Sequence, residues 1–173
     1  MDQYRLPEYD ARVLTADRLL ADFFETTMST LTHAKQTANW IITTLLGLLN
    51  TRGIEISQSP VSAKDFAALM GLLESNAITA LAAKTVFEEM AHTGADPESI
   101  VKKKGLEQMS DTTELEILVD RILAQNPVEV AAFRSGKTKL FSFFMGQVMK
   151  QTRGKADPKT VTPILQSKLA SER

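Results

Sequence analysis

The segment from Gly136 to Pro158 reads GKTKLFSFFMGQVMKQTRGKADP, and it places cationic side chains among aromatic and methionine side chains. Residues three or four apart share one face of an α-helix, so this spacing separates the two classes. One face is apolar and contains Leu140, Phe141, Phe144, Met145 and Val148. The opposite side contains Lys139, Ser142, Phe143, Gly146, Lys150 and Arg153. The pattern predicts a helix from about Thr138 to Thr152 with one face in a core and the other exposed.

Two residues of the predicted exposed side carry specific expectations. Gly146 leaves the helix backbone open to close approach by another chain. Phe143 has two open interpretations: it stacks on a nucleic-acid base, or it packs in the core, which is commoner for a phenylalanine at helical spacing.

A short basic loop, Arg153-Gly154-Lys155, follows the predicted helix and leads into Asp157-Pro158, a typical helix start. The first backbone N–H groups of a helix favour an anion such as phosphate. Asp157 as an N-cap competes for these donors. We therefore expect the lysines and the arginine, rather than the helix end, to be the main partners of phosphate.

The charge of the chain is divided unequally along its length. The net charge is -1, but the residues after position 125 contain nine Lys and Arg against three acidic residues, a net charge of +6, which leaves -7 for residues 1–125. A basic block of this kind suggests a polyanionic partner, most often nucleic acid. The alternative is a solvated helical surface without a binding role.

Outside this block, apolar residues also recur at three- and four-residue spacing, and no segment alternates as a β-strand does. The sequence therefore predicts an all-α fold with two helical subdomains. Residues 1–107 are expected to form a larger helical connector domain, and residues 110–173 a small basic tail domain of three or four helices. Met109-Ser110-Asp111-Thr112 is the expected joint.

Capping residues set the expected helix limits. Thr15 is predicted to cap a helix over Ala16–Met28, Ser62 a helix to about Glu74, and Asn76 a helix over Ala77–Ala91. The other expected helices are a central buried one over 32–50, one from Asp96-Pro97 to Gly105, one over 112–124 begun by Ser110, one capped by Asn126-Pro127 that ends at Ser135-Gly136, and one from Asp157-Pro158 to about Leu169.

Composition excludes several classes of protein. The chain has 173 residues, 43% of them hydrophobic, which is enough for a packed core. It contains no cysteine, so disulfides, cysteine nucleophiles and thiolate metal sites are excluded. No apolar run reaches membrane-spanning length, and the N-terminus does not read as a targeting peptide. We expect a cytoplasmic protein that has no membrane partner.

No motif predicts an active site in this chain. Gly136-Lys137-Thr138 ends like a P-loop, but that motif requires a glycine where Ala131 stands. His33 and His92 lack neighbours at metal-ligand spacing, and no serine-centred nucleophile motif occurs. We therefore expect neither a metal nor a cofactor to be bound by these residues.

The segment from Asn126 to Leu169, with MGQVMK followed by GKADP, resembles the C-terminal tail domain of the B subunit of bacterial aspartyl/glutamyl-tRNA amidotransferases. The upstream stretches LPEYDARVLT, at residues 6–15, and Ile56–Leu73 resemble the helical domain of the same protein. Stand-alone YqeY-like proteins share the fold of this region but lack the LPEYDA…LT stretch. The resemblance therefore favours the amidotransferase family and extends over nearly the whole chain.

The resemblance implies one part of an enzyme that amidates Glu-tRNA(Gln) or Asp-tRNA(Asn). In the family, a catalytic domain that uses ATP and Mg²⁺ precedes these helices, and ammonia comes from a glutaminase A subunit assembled with a small C subunit. We expect this chain to be a fragment that holds the helical connector and the tail. In the family the tail is thought to grip the outer, D-loop corner of the tRNA.

The tail pattern of the family maps onto Gly136, Lys137, Gly146, Gln147, Lys150, Gly154 and Lys155. From the resemblance and the charge together, the expected RNA-binding residues are Lys137, Lys139, Gly146, Gln147, Lys150, Arg153, Gly154 and Lys155. The glycines have a second interpretation, because they also suit turns and helix contacts. The alternatives for the whole chain are a structural module that contacts partner subunits, and a stand-alone YqeY-like protein.

Overall fold

The computed structural model describes residues 4–109 and 112–170, which are mostly helical and contain no β-strand. The predicted all-α fold is confirmed. The helices are α1 (Glu8–Thr15), α2 (Arg18–Met28), α3 (Ala34–Trp40), α4 (Leu46–Arg52), α5 (Ala63–Glu74), α6 (Ala80–Thr93), α7 (Pro97–Lys104), α8 (Thr112–Gln125), α9 (Pro127–Arg134), α10 (Leu140–Gln151) and α11 (Pro158–Ala170). A π-helical segment, Ile41–Leu45, joins α3 to α4, and Ile56–Gln58 forms a 3₁₀ turn.

The chain divides into two compact units. The first unit comprises the residues up to Ala77 together with Ala83–Gly105, and the second comprises Ile78–Ala82 together with the residues from Leu106 onward. The sequence did not predict that Ile78–Ala82 would belong to the second unit. Ser110 and Asp111, at the expected joint, lie outside the described residues.

The first unit is built around the helical stretch from Ala34 to Arg52. Ala38, Ile41 and Leu45 in this stretch are fully buried, as expected for the central helix. It ends at Gly53, whose backbone is left-handed with φ 63°. The ring of Phe66 on α5 meets Phe23 and Phe87 edge to face, with centroid distances of 5.7 and 6.0 Å.

Two predicted helix starts in the first unit are wrong. Thr15 is the last residue of α1, and its hydroxyl donates to the Ala11 carbonyl 2.8 Å away. The cap of α2 is Asp17, whose carboxylate accepts from the Leu20 N–H at 3.0 Å. Thr15 is capable of capping, but the preceding residues already form a helix of their own, so Thr15 stays inside that helix.

The second wrong start is Asn76, which ends α5 instead of opening α6. Its φ is 57°, a left-handed backbone that asparagine tolerates at helix ends. The N–H of Ala77 closes this end by donating to the Leu72 carbonyl at 2.9 Å. Helix α6 begins at Ala80, and Thr79 caps it by accepting from the Ala82 N–H at 3.1 Å.

Other predicted caps are confirmed. Ser62 accepts from the Asp65 N–H at 3.1 Å at the start of α5. Asp96 accepts from the Ser99 N–H at 2.9 Å at the start of α7, which ends at the left-handed Gly105. Local side-chain chemistry of this kind is readable in sequence because both partners lie within one turn.

Glu74, at the end of α5, accepts several hydrogen bonds through one carboxylate oxygen. Its Oε1 accepts from the Thr32 hydroxyl and from the N–H groups of Thr32 and His33, the latter two at 3.0 Å each. His33 Nδ1 lies 2.6 Å from the same oxygen. The hydrogen bond from the Thr32 side chain is the main cause that lowers the pKa of Glu74 below its ordinary value of 4.5.

We expect Glu74→Gln to lower the melting temperature at pH 7 by about 2–4 °C, the shift that corresponds to roughly 1 kcal/mol in a chain of this size. The pKa of Glu74 is lower in the folded chain, so its charge stabilises the fold above the unfolded pKa and stops doing so as pH falls through the folded pKa. The difference between variant and wild type should therefore shrink as pH falls below about 4.5 in thermal unfolding.

The exposed Glu88, in the same unit, supplies the control for this prediction. Glu88→Gln should change the melting temperature little at any pH, because substitutions at exposed positions usually have small effects. A Glu74→Gln difference that is the same at pH 7 and pH 3 would contradict the linkage.

The core of the second unit is formed by α8, α10 and α11, with α9 packed against it. Leu115, Val119 and Ile122 of α8 are fully buried at helical spacing. They meet Phe144 and Val148 of α10, which are fully buried as predicted for the apolar face. The core is completed by Ala156, two residues before α11, and by Val161, Ile164, Leu165 and Leu169 of α11.

Two expectations for the second unit change in detail. Phe143 is partly buried, packs against this core and meets Phe144 edge to face at 5.4 Å. This contact favours the core interpretation over base stacking. Asn126 does not cap α9, because its amide Nδ2 donates backward to the Ile122 carbonyl of α8 at 2.7 Å.

Candidate nucleic-acid interface

The exposed face of α10 and the residues that flank it form a stripe of polar residues, here called the basic stripe. Its members follow helical spacing, and all are exposed: Lys139, Ser142, Gly146, Lys150 and Arg153. Lys139 and Lys150 lie roughly 16 Å apart along the helix axis, from the rise of an α-helix. The stripe therefore carries positive charge at both ends and a glycine in the middle.

Gly146 is the open point of the basic stripe. A methyl group placed on its Cα would have no atom within 4 Å beyond its own helix. Packing therefore does not require glycine here, although glycine inside a helix costs about 0.5–1 kcal/mol relative to alanine. Gln147, the next residue, is only partly exposed.

The loop after α10, Arg153-Gly154-Lys155, is here called the basic turn. Arg153 and Gly154 have left-handed backbones with φ of 52° and 77°. The N–H groups of the turn close the end of α10: Gly154 donates to Met149 at 2.8 Å, Arg153 to Lys150 at 3.2 Å, and Lys155 to Thr152 at 3.1 Å. The backbone of the turn is therefore fixed, while the Arg153 side chain is exposed and Lys155 is partly exposed.

The carbonyl groups of the basic turn are held by other segments of the second unit. The Lys155 carbonyl accepts from the Met109 N–H at 3.0 Å, and Met109 and Ala156 form an isolated parallel bridge. The Gly154 carbonyl accepts from the Thr79 hydroxyl at 2.6 Å. A Cβ on Gly154 would lie 2.7 Å from Leu81 Cδ2, so any other residue here would displace the Leu81 side chain and would also have to adopt the left-handed backbone that favours glycine.

Both helix ends near these cations already use their amides. At α11, the Asp157 carboxylate accepts from the Lys159 N–H at 2.9 Å, as its predicted N-cap role requires. At the Gly136-Lys137-Thr138 turn, the three N–H groups donate to the carbonyls of Phe133, Ala132 and Gly136 at 3.0, 3.1 and 2.9 Å. This turn therefore does not offer the free amides of a P-loop, and its Lys137 and the neighbouring Lys139 are exposed.

Two cations of the basic block are engaged within the unit. Lys168 Nζ lies 2.6 Å from the Asp120 carboxylate. Arg134 Nε donates to the Leu169 carbonyl at 3.1 Å. Asp120 therefore offsets the charge of Lys168, whereas Arg134 keeps its charge but is tied to α11.

The structure places the eight predicted site residues in three environments. Five are exposed: Lys137, Lys139, Gly146, Lys150 and Arg153. Gln147 and Lys155 are partly exposed, and Gly154 is buried. Gly154 therefore has a packing role, which agrees with the second interpretation given to the glycines of the pattern.

Sequence reasoning missed Thr79 and Leu81, which support the basic turn. Thr79 was readable as a possible helix cap, but its bond to a residue 75 positions later has no local signal. Among residues 4–109 and 112–170, no group of three His, Cys, Asp or Glu side chains is placed to hold a metal ion. Within the same ranges, the helices are too short or too polar to cross a bilayer.

Comparisons with known proteins show which family the chain belongs to. The family model of the GatB domain matches residues 22–169. The chain is 46% identical over 170 residues to the B subunit of the aspartyl/glutamyl-tRNA(Asn/Gln) amidotransferase of Carboxydothermus hydrogenoformans, covering 98% of this chain and 35% of that protein. It is 45% identical to the corresponding protein of Trichlorobacter lovleyi (98% and 36% covered) and 48% identical to that of Persephonella marina (96% and 35% covered).

The chain thus spans about a third of the length of these relatives. The match to the family model runs from α2 to α11 and so includes the basic stripe and the basic turn. Because this model covers most of the chain, the chain belongs to the GatB domain family.

Proposed function

We propose that this chain is a tRNA-binding part of the B subunit of the glutamine-dependent amidotransferase that converts Glu-tRNA(Gln) or Asp-tRNA(Asn) to the amidated form. The observation that carries the proposal is the basic stripe, which extends into the basic turn on a rigid helix end. Cations in this arrangement contact phosphates of a folded RNA without reading bases, which is how structured RNA is commonly recognised.

In this proposal the chain positions the outer corner of the tRNA for the catalytic domain of the parent protein. The parent protein supplies the site for ATP and Mg²⁺, and it assembles with the glutaminase A subunit and the small C subunit. The names of the relatives, each the B subunit of an aspartyl/glutamyl-tRNA(Asn/Gln) amidotransferase, support the assignment to a multi-subunit amidotransferase that acts on tRNA. The residues that contact RNA are Lys137, Lys139, Lys150, Arg153 and Lys155, with Gly146 and Gln147 at the centre of the footprint.

A second candidate function is contact with a partner subunit. A groove of about 700 Å³ lies in the second unit between α8, α9 and α11, and it is lined by the apolar Leu123, Pro127 and Val130 and by the charged Asp120, Arg134 and Lys168. Val128 beside it is 73% exposed. This groove favours a protein partner at α9, whereas the cations of α10 favour RNA.

Binding of tRNA to this chain across a salt series tests the proposal. We expect the affinity of the wild type to fall steeply with salt. The double variant Lys150→Ala, Lys155→Ala should have a lower affinity and a smaller salt slope, with the slope reduced by about 0.7–0.9 per lost phosphate contact. Circular dichroism checks that both proteins are folded. Binding that does not change with salt or in this variant would contradict the proposal.

A matched control uses two lysines of the first unit that are exposed, Lys64 and Lys84. Lys64→Ala with Lys84→Ala removes the same charge as the test variant. If the basic stripe and the basic turn contact RNA, this control keeps the affinity and slope of the wild type. An equal loss in both variants would indicate that only the net charge matters.

Gly146→Ala separates stability from binding at the centre of the stripe. The variant should gain up to about 1 kcal/mol in free energy of unfolding, because alanine is the better helix former and the site has room. If the RNA backbone approaches the helix here, tRNA affinity should fall roughly fivefold, equivalent to about 1 kcal/mol. Urea unfolding and tRNA titration measure the two effects.

Gly47 on α4 is the matched control, since it is also an exposed helical glycine with no atom within 4 Å of an added methyl group. Gly47→Ala should bring a similar gain in stability and leave tRNA affinity unchanged. A Gly146→Ala variant that binds tRNA as tightly as wild type would exclude close approach at this point.

A further inference from the structure

The basic turn presents two cations from a backbone whose N–H groups are all engaged by α10 and by Thr152, the residue that follows it. Its carbonyl groups are held differently, by Met109 and by Thr79. Only the contact to Thr79 uses a side chain. The turn is therefore held by backbone hydrogen bonds and by one side chain, the hydroxyl of Thr79, from a segment 75 residues earlier in the chain.

Thr79 is placed to hold this contact firmly. Its side chain is buried, with 7% of the residue exposed, and the Oγ1 lies 2.6 Å from the Gly154 carbonyl. The same Oγ1 accepts from the Ala82 N–H at 3.1 Å and so caps α6. A hydroxyl has one proton to donate and lone pairs to accept, so both capacities are used at once.

Leu81 adds a steric constraint beside this bond. Its side chain occupies the space that a Cβ of residue 154 would need, with Cδ2 and Cγ at 2.7 and 3.2 Å from that position. Gly154 is thus covered by Leu81 on one side and bonded to Thr79 through its carbonyl. Without the hydroxyl, a buried carbonyl would lose its donor, which is costly enough to favour a rearranged turn.

We propose that Thr79 is a positioning residue for RNA binding: it touches no RNA, and it holds the basic turn so that the Arg153 and Lys155 side chains meet phosphates together. This inference rests on the proposed function. A prearranged pair of cations loses less conformational freedom on binding than a mobile loop does, so the hydroxyl increases affinity without adding a contact.

The test compares Thr79→Val, which keeps the shape and removes the hydroxyl, with Thr79→Ser, which keeps the hydroxyl. Both are made in this chain and titrated with tRNA across a salt series. We expect Thr79→Val to weaken tRNA binding roughly tenfold and to lower the salt slope by the amount that corresponds to about one to two lost phosphate contacts. The tRNA affinity of Thr79→Ser should stay within about twofold of the wild-type value. Hydrogen exchange of amides 153–156 should quicken in Thr79→Val only.

A double-mutant cycle separates positioning from general stability. In a chain that already carries Arg153→Ala and Lys155→Ala, Thr79→Val should cause no further loss of affinity, because the side chains that it positions are gone. A general weakening of the fold would lower affinity in both backgrounds. Such an additive result would overturn the inference.

The outcomes also distinguish this inference from the proposed function. If the wild type shows no salt-dependent tRNA binding, the proposed function fails. If the wild type binds tRNA, and the double variant Arg153→Ala, Lys155→Ala binds it more weakly while Thr79→Val does not, only the positioning role fails. If Thr79→Val does not fold, the serine variant decides, because a folded Thr79→Ser chain with weakened binding contradicts the role of the hydroxyl.

Discussion

Reversing three charges of the basic stripe should abolish most tRNA binding. In the chain with Lys139→Glu, Lys150→Glu and Arg153→Glu, we expect the dissociation constant to rise on the order of 10²- to 10³-fold at about 0.1 M salt, because each phosphate contact contributes roughly five- to eightfold under that condition. Repulsion between glutamate and phosphate adds to the loss. Fluorescence anisotropy with labelled tRNA measures it.

This variant should remain folded, because all three side chains are exposed and none of them is needed by the core. Substitutions at such positions usually change stability by no more than about 0.5 kcal/mol. The matched control reverses Lys35, Lys64 and Lys84, three exposed lysines of the first unit. If the control weakens binding as much as the test variant, the footprint of the RNA is not centred on α10.

Gly154→Ala adds one methyl group to the basic turn, and we expect it to lower the free energy of unfolding strongly. Two costs combine: a left-handed backbone at an alanine costs about 1–2 kcal/mol, and the new methyl group would lie 2.7 Å from Leu81 Cδ2. Together with the overpacking that follows, we expect a loss of roughly 2–4 kcal/mol in free energy of unfolding. Urea denaturation followed by circular dichroism measures it.

Gly94→Ala provides the comparison, because Gly94 has a similar positive φ, of 67°, but has open space around it. This variant should show only the backbone part of the cost. Adding Leu81→Ala to Gly154→Ala should restore part of the stability, since it removes the clashing side chain. Equal losses at Gly154 and Gly94, with no rescue, would mean that the contact with Leu81 does not constrain the turn.

The sequence predicted those features in which both partners lie within a few residues of each other. Ser62, Asp96 and Asp157 were recognised as caps because each accepts from a nearby N–H group. The two faces of α10 were also predicted, since Phe144 and Val148 repeat at helical spacing. These signals are local, and the burial of a whole face reinforces them.

The sequence was less informative where two local solutions compete or where partners are far apart. Thr15 is capable of capping a new helix, but it lies in the last turn of α1, where its hydroxyl bonds back to Ala11. Asn76 suits a helix start or a left-handed helix end, and the structure uses it for the end. The Thr79–Gly154 bond joins segments whose proximity only the tertiary fold creates.

The sequence predicted the charged residues of the candidate site, but it did not predict Thr79 and Leu81, the residues that contact the basic turn. Lys139, Lys150 and Arg153 are exposed, as an electrostatic surface requires. The buried position of Gly154 was open to either interpretation, because a glycine in a basic loop suits both a turn and a close approach to RNA. Only the position of Leu81 over that glycine decides between them.

The inclusion of Ile78–Ala82 in the second unit bears on how this region can be cut or transplanted. A gene fragment that starts at Leu106 would encode the basic helices without the hydroxyl of Thr79 and without the cover that Leu81 provides. A chimera that exchanges tails between two related proteins would have the same defect. The second unit is compact in the structure but is encoded by two separate stretches of sequence, so both stretches are needed to transplant it intact.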